Sequence, residues 1–430
     1  MPYVGNKGEW AEIYVLLKLL ADGKIYQGDE HLNITDSFMS ILAIMRHDAD
    51  NVLRYQRGSI HNANCADPSL VYVIKNERND GSVEVEQLSI SAERMVEAID
   101  GITNNNNSMP WLNDLLEQMR VQSLKAKSVD KCDIFLETLD NSGMVINDGY
   151  SIKSQFGSGS TLFNYGEGSK LLCEIQNCTE LEMHKINAIM VPPKNDREPT
   201  NDAVDVKGRL KYIFEHNDLS LKPIGFTHND GTFKDSLENI GIDIAEVLSW
   251  LILYHWNSFQ NNNDGSAKLI DLIEKLSVNN PMNKRYPNDY YQNRLKEFAF
   301  CAFAGLTATN YWDGTRIVNG GYIEVKRNGD ILFYPARSDN QFMSYLLQKL
   351  KIDDPSKGIY ALEYARTAYE YLGNGVPVRL GERIEDYYRK ARAKNKPIST
   401  YKKGDYGYVY YDELTDSYYM DINFSLRFIK

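Results

Sequence analysis

Helical and alternating stretches interleave along this chain, which predicts a mixed α/β (α+β) protein with its sheet flanked by helices. Three segments carry that expectation. Residues 8–22, GEWAEIYVLLKLLAD, place apolar side chains at helical spacing and stop at Gly23. Residues 133–155 alternate, turn at LDNSGM and alternate again. GGYIEVKRNGDILFY reads as a hairpin, with Asn328-Gly329 as a two-residue turn.

The other elements follow in order. Residues 71–90 read as strands interrupted by NERNDGS, and 92–101 and 110–122 as helices separated by Asn104 to Asn107. In the meander, 133–139 form one strand, and 144–147 with 150–155 form the return. Residues 171–191 are mixed. Helical spacing resumes at 232–256 and 291–307, and the NNNDG tract from 261 is a linker. No internal repeat is visible.

The chain has 430 residues, which favours two domains. Its net charge of −11 opposes nucleic acid over most of the surface, so any such contact must come from local basic stretches. Two exist: Arg120, Lys125, Lys127 and Lys131, and the run from Arg379 to Lys403, in which Tyr387, Tyr388 and Tyr401 interleave. A solvated face is the plainer account of both. No apolar run approaches the roughly 18–20 residues that span a bilayer. The first helix carries Lys7, Glu9 and Glu12, not a leader pattern, so a cytosolic protein is expected. Five cysteines form no CxxC, and no two histidines have HxH or HxxxH spacing, which disfavours zinc and histidine–metal chemistry.

The meander is where chemistry is expected. Metal-assisted phosphodiester hydrolysis needs carboxylates to hold a cation, an activated water, and a cationic group to steady the transition state. An acid at the start of one strand, with acid-x-lysine on the next, meets that need, because a period of two aims the second acid and the lysine to one side. Asp133 opens the first strand and Lys153 lies twenty residues on, sharing a face with Ser151 and Gln155. Ser151 stands where a second acid is expected, so that carboxylate must come from elsewhere or be replaced by water. Gln155 is a candidate to orient the water or touch phosphate. In the first helix, Glu9 and Glu12 share a face and either could supply the acid.

The stretches GNKGEWAEIYVLLKLLADGKIYQGDE, KAKSVDKCDI, GYSIKSQFGSGSTLFN, DGTFKDSLENIGIDI, YWDGTRIVNGGYIEVKRNGDILFY and DINFSLRFIK, in this order, resemble the HpaII-type type II restriction endonucleases. The resemblance covers nearly the whole chain, with 360–405 the least similar part. It implies a PD-(D/E)xK restriction-endonuclease-like core, and the linker at 261 divides the chain into residues 1–260 as the catalytic domain and 261–430 as a C-terminal accessory or DNA-recognition region. It implies Mg²⁺-dependent double-strand cleavage at a short palindrome, CCGG in the family, in a bacterial cytoplasm, by a homodimer or by a monomer nicking in sequence. Asp133, Ser151, Lys153 and Gln155 take the catalytic places. Asp133, the Ile152 carbonyl and Glu12 or Glu9 take those around the metal.

Other readings compete. Asp313, Glu324 and Lys326 offer a full acid-x-lysine set on the hairpin, against the plainer view that the hairpin's charges face water. The missing carboxylate at Ser151 also suits a non-catalytic DNA-binding protein on a degenerate scaffold. GIYALEYARTAYEYLG imitates another nuclease signature but lacks the turn that signature needs. GSGST at 157–161 could cradle a phosphate through its amides.

Overall fold

The computed structural model describes residues 3–429 apart from 49–50, 61–63, 104–105, 128–131, 141, 158, 188, 190–205, 217, 259–266, 317, 338, 354–376, 380–381 and 384–405. The NNNDG linker, the GIY-like stretch and most of the second basic run lie outside the described residues. Two compact units divide the chain, one of residues 1–160 with 317–348, the other of 161–316 with 349–429. The expected division at 260/261 falls inside the second unit, and the region after 260 supplies strands to both. The reason is the hairpin, whose two strands hydrogen-bond into the first unit's sheet.

The first unit starts with the helix Lys7–Asp22. Asn6 caps it, accepting from the Gly8 and Glu9 amides, while the Glu9 carboxylate accepts from the Asn6 amide at 2.9 Å. Gly23 ends it in the left-handed region, at φ 68°. Trp10, Ala11, Ile13, Tyr14, Val15, Leu16, Leu17, Leu19 and Leu20 are all buried, so the helix is enclosed on nearly every side. At roughly 2 kcal/mol per large apolar side chain removed from water, this one element is a main source of the unit's cohesion.

Under the helix lies a nine-stranded sheet ordered Lys24–Gly28, Ile331–Pro335, Gly321–Val325, Val145–Ser154, Ile134–Leu139, Ile34–Asp48, Asn51–Arg57, Leu70–Lys75 and Arg78–Glu84. Lys24–Gly28 also pairs with Ile34–Asp48, so the hydrogen bonding of six strands returns on itself. The meander forms as expected, with Ile134 opposite Tyr150 and Leu139 opposite Val145, and its return strand is continuous. The helix expected at 92–101 starts earlier and spans Val85–Asp100. The one expected at 110–122 is a 3-10 turn, Pro110–Leu112, and a short helix, Asn113–Gln118.

The hairpin departs most from expectation. It does not stand on the surface. Gly321–Val325 runs parallel to Val145–Ser154 and pairs Tyr322 with Ser151, Ile323 with Ile152 and Glu324 with Lys153. All five of its residues are buried. Gly321 permits the close approach: it sits at φ +127°, and a Cβ there would meet the Tyr334 carbonyl oxygen at 2.0 Å. Ile323 and Val325 join the core with the leading helix. Tyr322 and Glu324 alternate to the other face, against Phe342 and Tyr345 of the helix Asp339–Lys349. At the turn only Gly329 of the Asn-Gly pair has positive φ, and its amide donates to Lys326.

The second unit has two antiparallel four-stranded sheets, one ordered Ser220–Gly225, Leu171–Gln176, Ser417–Ile422 and Val409–Asp412, the other Thr161–Phe163, Ser425–Phe428, Leu350–Asp353 and Ala267–Lys268. Phe163, Phe233, Phe298 and Phe424 cluster in its core. The helical stretch from 232 breaks into Thr232–Glu238 and Ile244–Ser258, where the Gly241 amide turns back to Leu237. None of the five cysteines is in a disulfide. Among the described residues no helix is long and apolar enough to cross a membrane.

Candidate active site

The site is built where the meander's two strands part. Asp133 precedes Ile134–Leu139, and its amide donates to the Tyr150 carbonyl at 2.9 Å. The return strand runs past that point, carrying Ile152, Lys153 and Gln155 beyond its antiparallel partner. Asp133 Oδ2 takes over, accepting the Ile152 N–H at 2.8 Å. The aspartate therefore serves as the backbone partner for the segment that carries the lysine.

Lys153 lies among three carboxylates. Burial pulls its ammonium below the ordinary lysine value, while Asp133, Glu324 and Glu12 favour the charged form. Its Nζ sits 4.9 Å from the centroid of the Tyr322 ring. From the leading helix, Glu12 Oε2 accepts the Ala126 N–H at 3.1 Å. Burial, and then the negative charge of Asp133, push the Glu12 carboxyl from 4.5 up to about 7, against the Ala126 amide, Arg46 and Lys125. Asp133, Lys153 and Glu12 thus lie within electrostatic reach of one another at the open end of the strand pair.

Three expected residues stand differently. Glu9, three positions from Glu12, closes the cap of its own helix with Asn6. The Asn6-x-x-Glu9 spacing is the capping-box signature, so that assignment was open to local reading. Ser151 is buried, 7% exposed, and its hydroxyl lies 3.4 Å from Asn319 Nδ2. Gln155 does not reach outward. Its Nε2 donates to Glu324 Oε1 at 3.0 Å.

Glu324 corrects the surface-hairpin reading. It is 4% exposed, beside Lys153, and accepts from Tyr345 Oη at 3.0 Å as well as from Gln155. The other members of its proposed set go elsewhere. Lys326 pairs with Asp330 at 3.1 Å and contacts the Leu32 carbonyl, while Asp313 lies in the second unit, its carboxylate accepting the Thr315 amide. One signal in the sequence pointed inward: ILFY, opposite YIEV, is a continuous apolar run of the kind that both faces of a central strand require. In the Gly157–Thr161 loop after the lysine strand, Ser158 lies outside the described residues.

A divalent cation would find oxygen donors here. Glu12 and Asp133 each present a carboxylate. Among the described residues no three of histidine, cysteine, aspartate and glutamate stand close enough to hold an ion by themselves. Carboxylate oxygens are the donors a hard divalent cation takes.

A restriction-endonuclease family model matches residues 6–369, which makes the chain a type II site-specific deoxyribonuclease, a DNA-binding enzyme. It belongs to the HpaII restriction endonuclease family. It is similar to the type II restriction enzyme HpaII of Haemophilus parainfluenzae, at 29% identity over 358 residues, covering 82% of this chain and 91% of that protein. No solved structure matches it.

Proposed function

We propose that this enzyme cuts both strands of DNA at a short palindrome, CCGG being the first candidate, with Mg²⁺ as its cation and a PD-(D/E)xK-like core in its first unit. The observation that carries the reading is Asp133 gripping the Ile152 amide next to Lys153, with Glu12 in the same electrostatic neighbourhood. Asp133, Glu12 and the Ile152 carbonyl are the groups that would hold the ion. When bound, Mg²⁺ supplies Lewis-acid stabilisation of charge on the scissile phosphate. Lys153 orients the attacking water and donates to the phosphoryl oxygens as their charge grows. Ser151 occupies the second-acid place without charge, and Gln155 acts behind Lys153 through Glu324.

The catalytic role belongs in this reading to 1–160 with the hairpin, and DNA recognition to the remainder of the chain. The HpaII likeness supports a palindromic target, which calls for a two-fold dimer or for sequential nicking by one copy. It also supports a bacterial cytoplasmic setting. Plasmid digestion with Mg²⁺ and with EDTA, followed by sequencing of the cut ends, tests all of this together. Linear product only with Mg²⁺ and ends within CCGG are expected. Retarded DNA without cleavage would return the protein to the degenerate-scaffold reading, and ends at another sequence would remove CCGG.

A further inference from the structure

We propose that Glu324 is a positioning residue for cleavage: held by Tyr345 and Gln155 on the strand beside Lys153, its carboxylate fixes the lysine ammonium over the Tyr322 ring and supplies the negative charge missing at Ser151. The inference rests on the reading of Lys153 as the catalytic lysine.

Register carries the argument. Glu324 pairs with Lys153 across parallel strands and with Leu332 on its other side. Paired residues of neighbouring strands project to the same face of a sheet, with strands roughly 4.8 Å apart, so the carboxylate and the lysine stem rise together. Tyr322, two residues before Glu324, rises on that face too and lies under the ammonium.

Burial makes the charge a cost unless pairing and hydrogen bonds offset it. At 4% exposure, an unpaired carboxylate here is strongly unfavourable. Hydrogen bonds from Tyr345 and Gln155 satisfy its oxygens without neutralising it. A well-packed apolar residue beside Leu332 would serve stability as well or better. What the carboxylate adds is a fixed anion next to a flexible ammonium. Tyr345 is itself stacked on Tyr334, ring centroids 3.8 Å apart, so the anchor is rigid. A lysine side chain has four rotatable bonds, and narrowing their range raises the share of molecules with the ammonium in place for reaction.

The test uses full-length enzyme in excess over a linear duplex carrying the sequence at which the parent cuts, in Mg²⁺, so that each single-turnover trace yields a rate and an amplitude. Glu324→Gln is expected to lower the rate by about 10- to 100-fold, the range typical of groups that orient reacting residues, while amplitude and DNA affinity in EDTA stay parental. Tyr345→Phe keeps the charge and the ring and is expected to slow the rate severalfold. It decides the matter alone if Glu324→Gln does not fold. A parental rate in Glu324→Gln overturns the proposal, as does one in Tyr345→Phe where Glu324→Gln does not fold. So does a reduced amplitude at parental rate, the mark of a purely structural residue. Lys153→Ala separates the two levels. If it cuts at the parental rate, the lysine reading falls and takes this inference with it. If it is inactive while Glu324→Gln is parental, only the role of Glu324 falls.

Discussion

Glu12→Gln separates stability from activity at the candidate site. In the folded protein the Glu12 carboxyl is pushed from 4.5 up to about 7, first by burial and then by Asp133. Glutamine preserves the volume and the acceptor for the Ala126 amide but removes the charge. Below pH 4.5 the carboxyl is protonated in both folded and unfolded chains, and the exchange changes little. Between 4.5 and about 7 the unfolded chain releases its proton while the folded one keeps it, so the parent loses stability as pH rises. Above about 7 the full penalty is present and level. At roughly 1.4 kcal/mol per pH unit the penalty is at most about 3–4 kcal/mol. Urea denaturation in EDTA across pH 5 to 8 measures it. The variant should pull ahead of the parent as pH rises, by up to about 3–4 kcal/mol at pH 8, and should lose DNA cleavage in Mg²⁺. Equal or lower stability of the variant at pH 8 would refute the electrostatic argument, and undiminished cleavage would remove Glu12 from the site.

Other outcomes follow from the same geometry. Lys153→Ala should slow plasmid cleavage by roughly 10²- to 10⁴-fold, whereas Lys326→Ala, whose lysine is engaged with Asp330, should cut at the parental rate. The opposite pattern would move the chemistry to the hairpin. Glu9→Ala should lower the urea-derived stability by about 1 kcal/mol through loss of the capping box and leave cleavage intact. A loss of cleavage would instead make Glu9 the helix acid. Ile323→Ala, at a fully buried position in the inserted strand, should cost about 2–5 kcal/mol in the same denaturation measurement. A cost well under 1 kcal/mol would mean the hairpin is not embedded in the sheet.

The local elements were legible because their causes are local. The leading helix has its apolar spacing, its Asn6-x-x-Glu9 box and its Gly23 stop within one short stretch. The meander places Asp133 and Lys153 at the same end of two paired strands through period-two alternation and a single turn. Each of these depends on backbone angles and faces that neighbouring residues dictate.

What surrounds Lys153 was decided by tertiary structure. Glu324 is remote in sequence, and nothing local says that its strand should lie parallel to the lysine strand with those two residues in register. Parallel pairing needs a long connection, and here that connection includes much of the second unit. Glu12 and Glu9 look alike on a helix and both are half-buried, yet one accepts from the Ala126 amide and the other closes a cap, because the chain that meets Glu12 arrives from more than a hundred residues away. Alternation says which way a side chain points. The packing of the whole chain settles what it points at, because burial and charge are summed over neighbours that the sequence keeps apart.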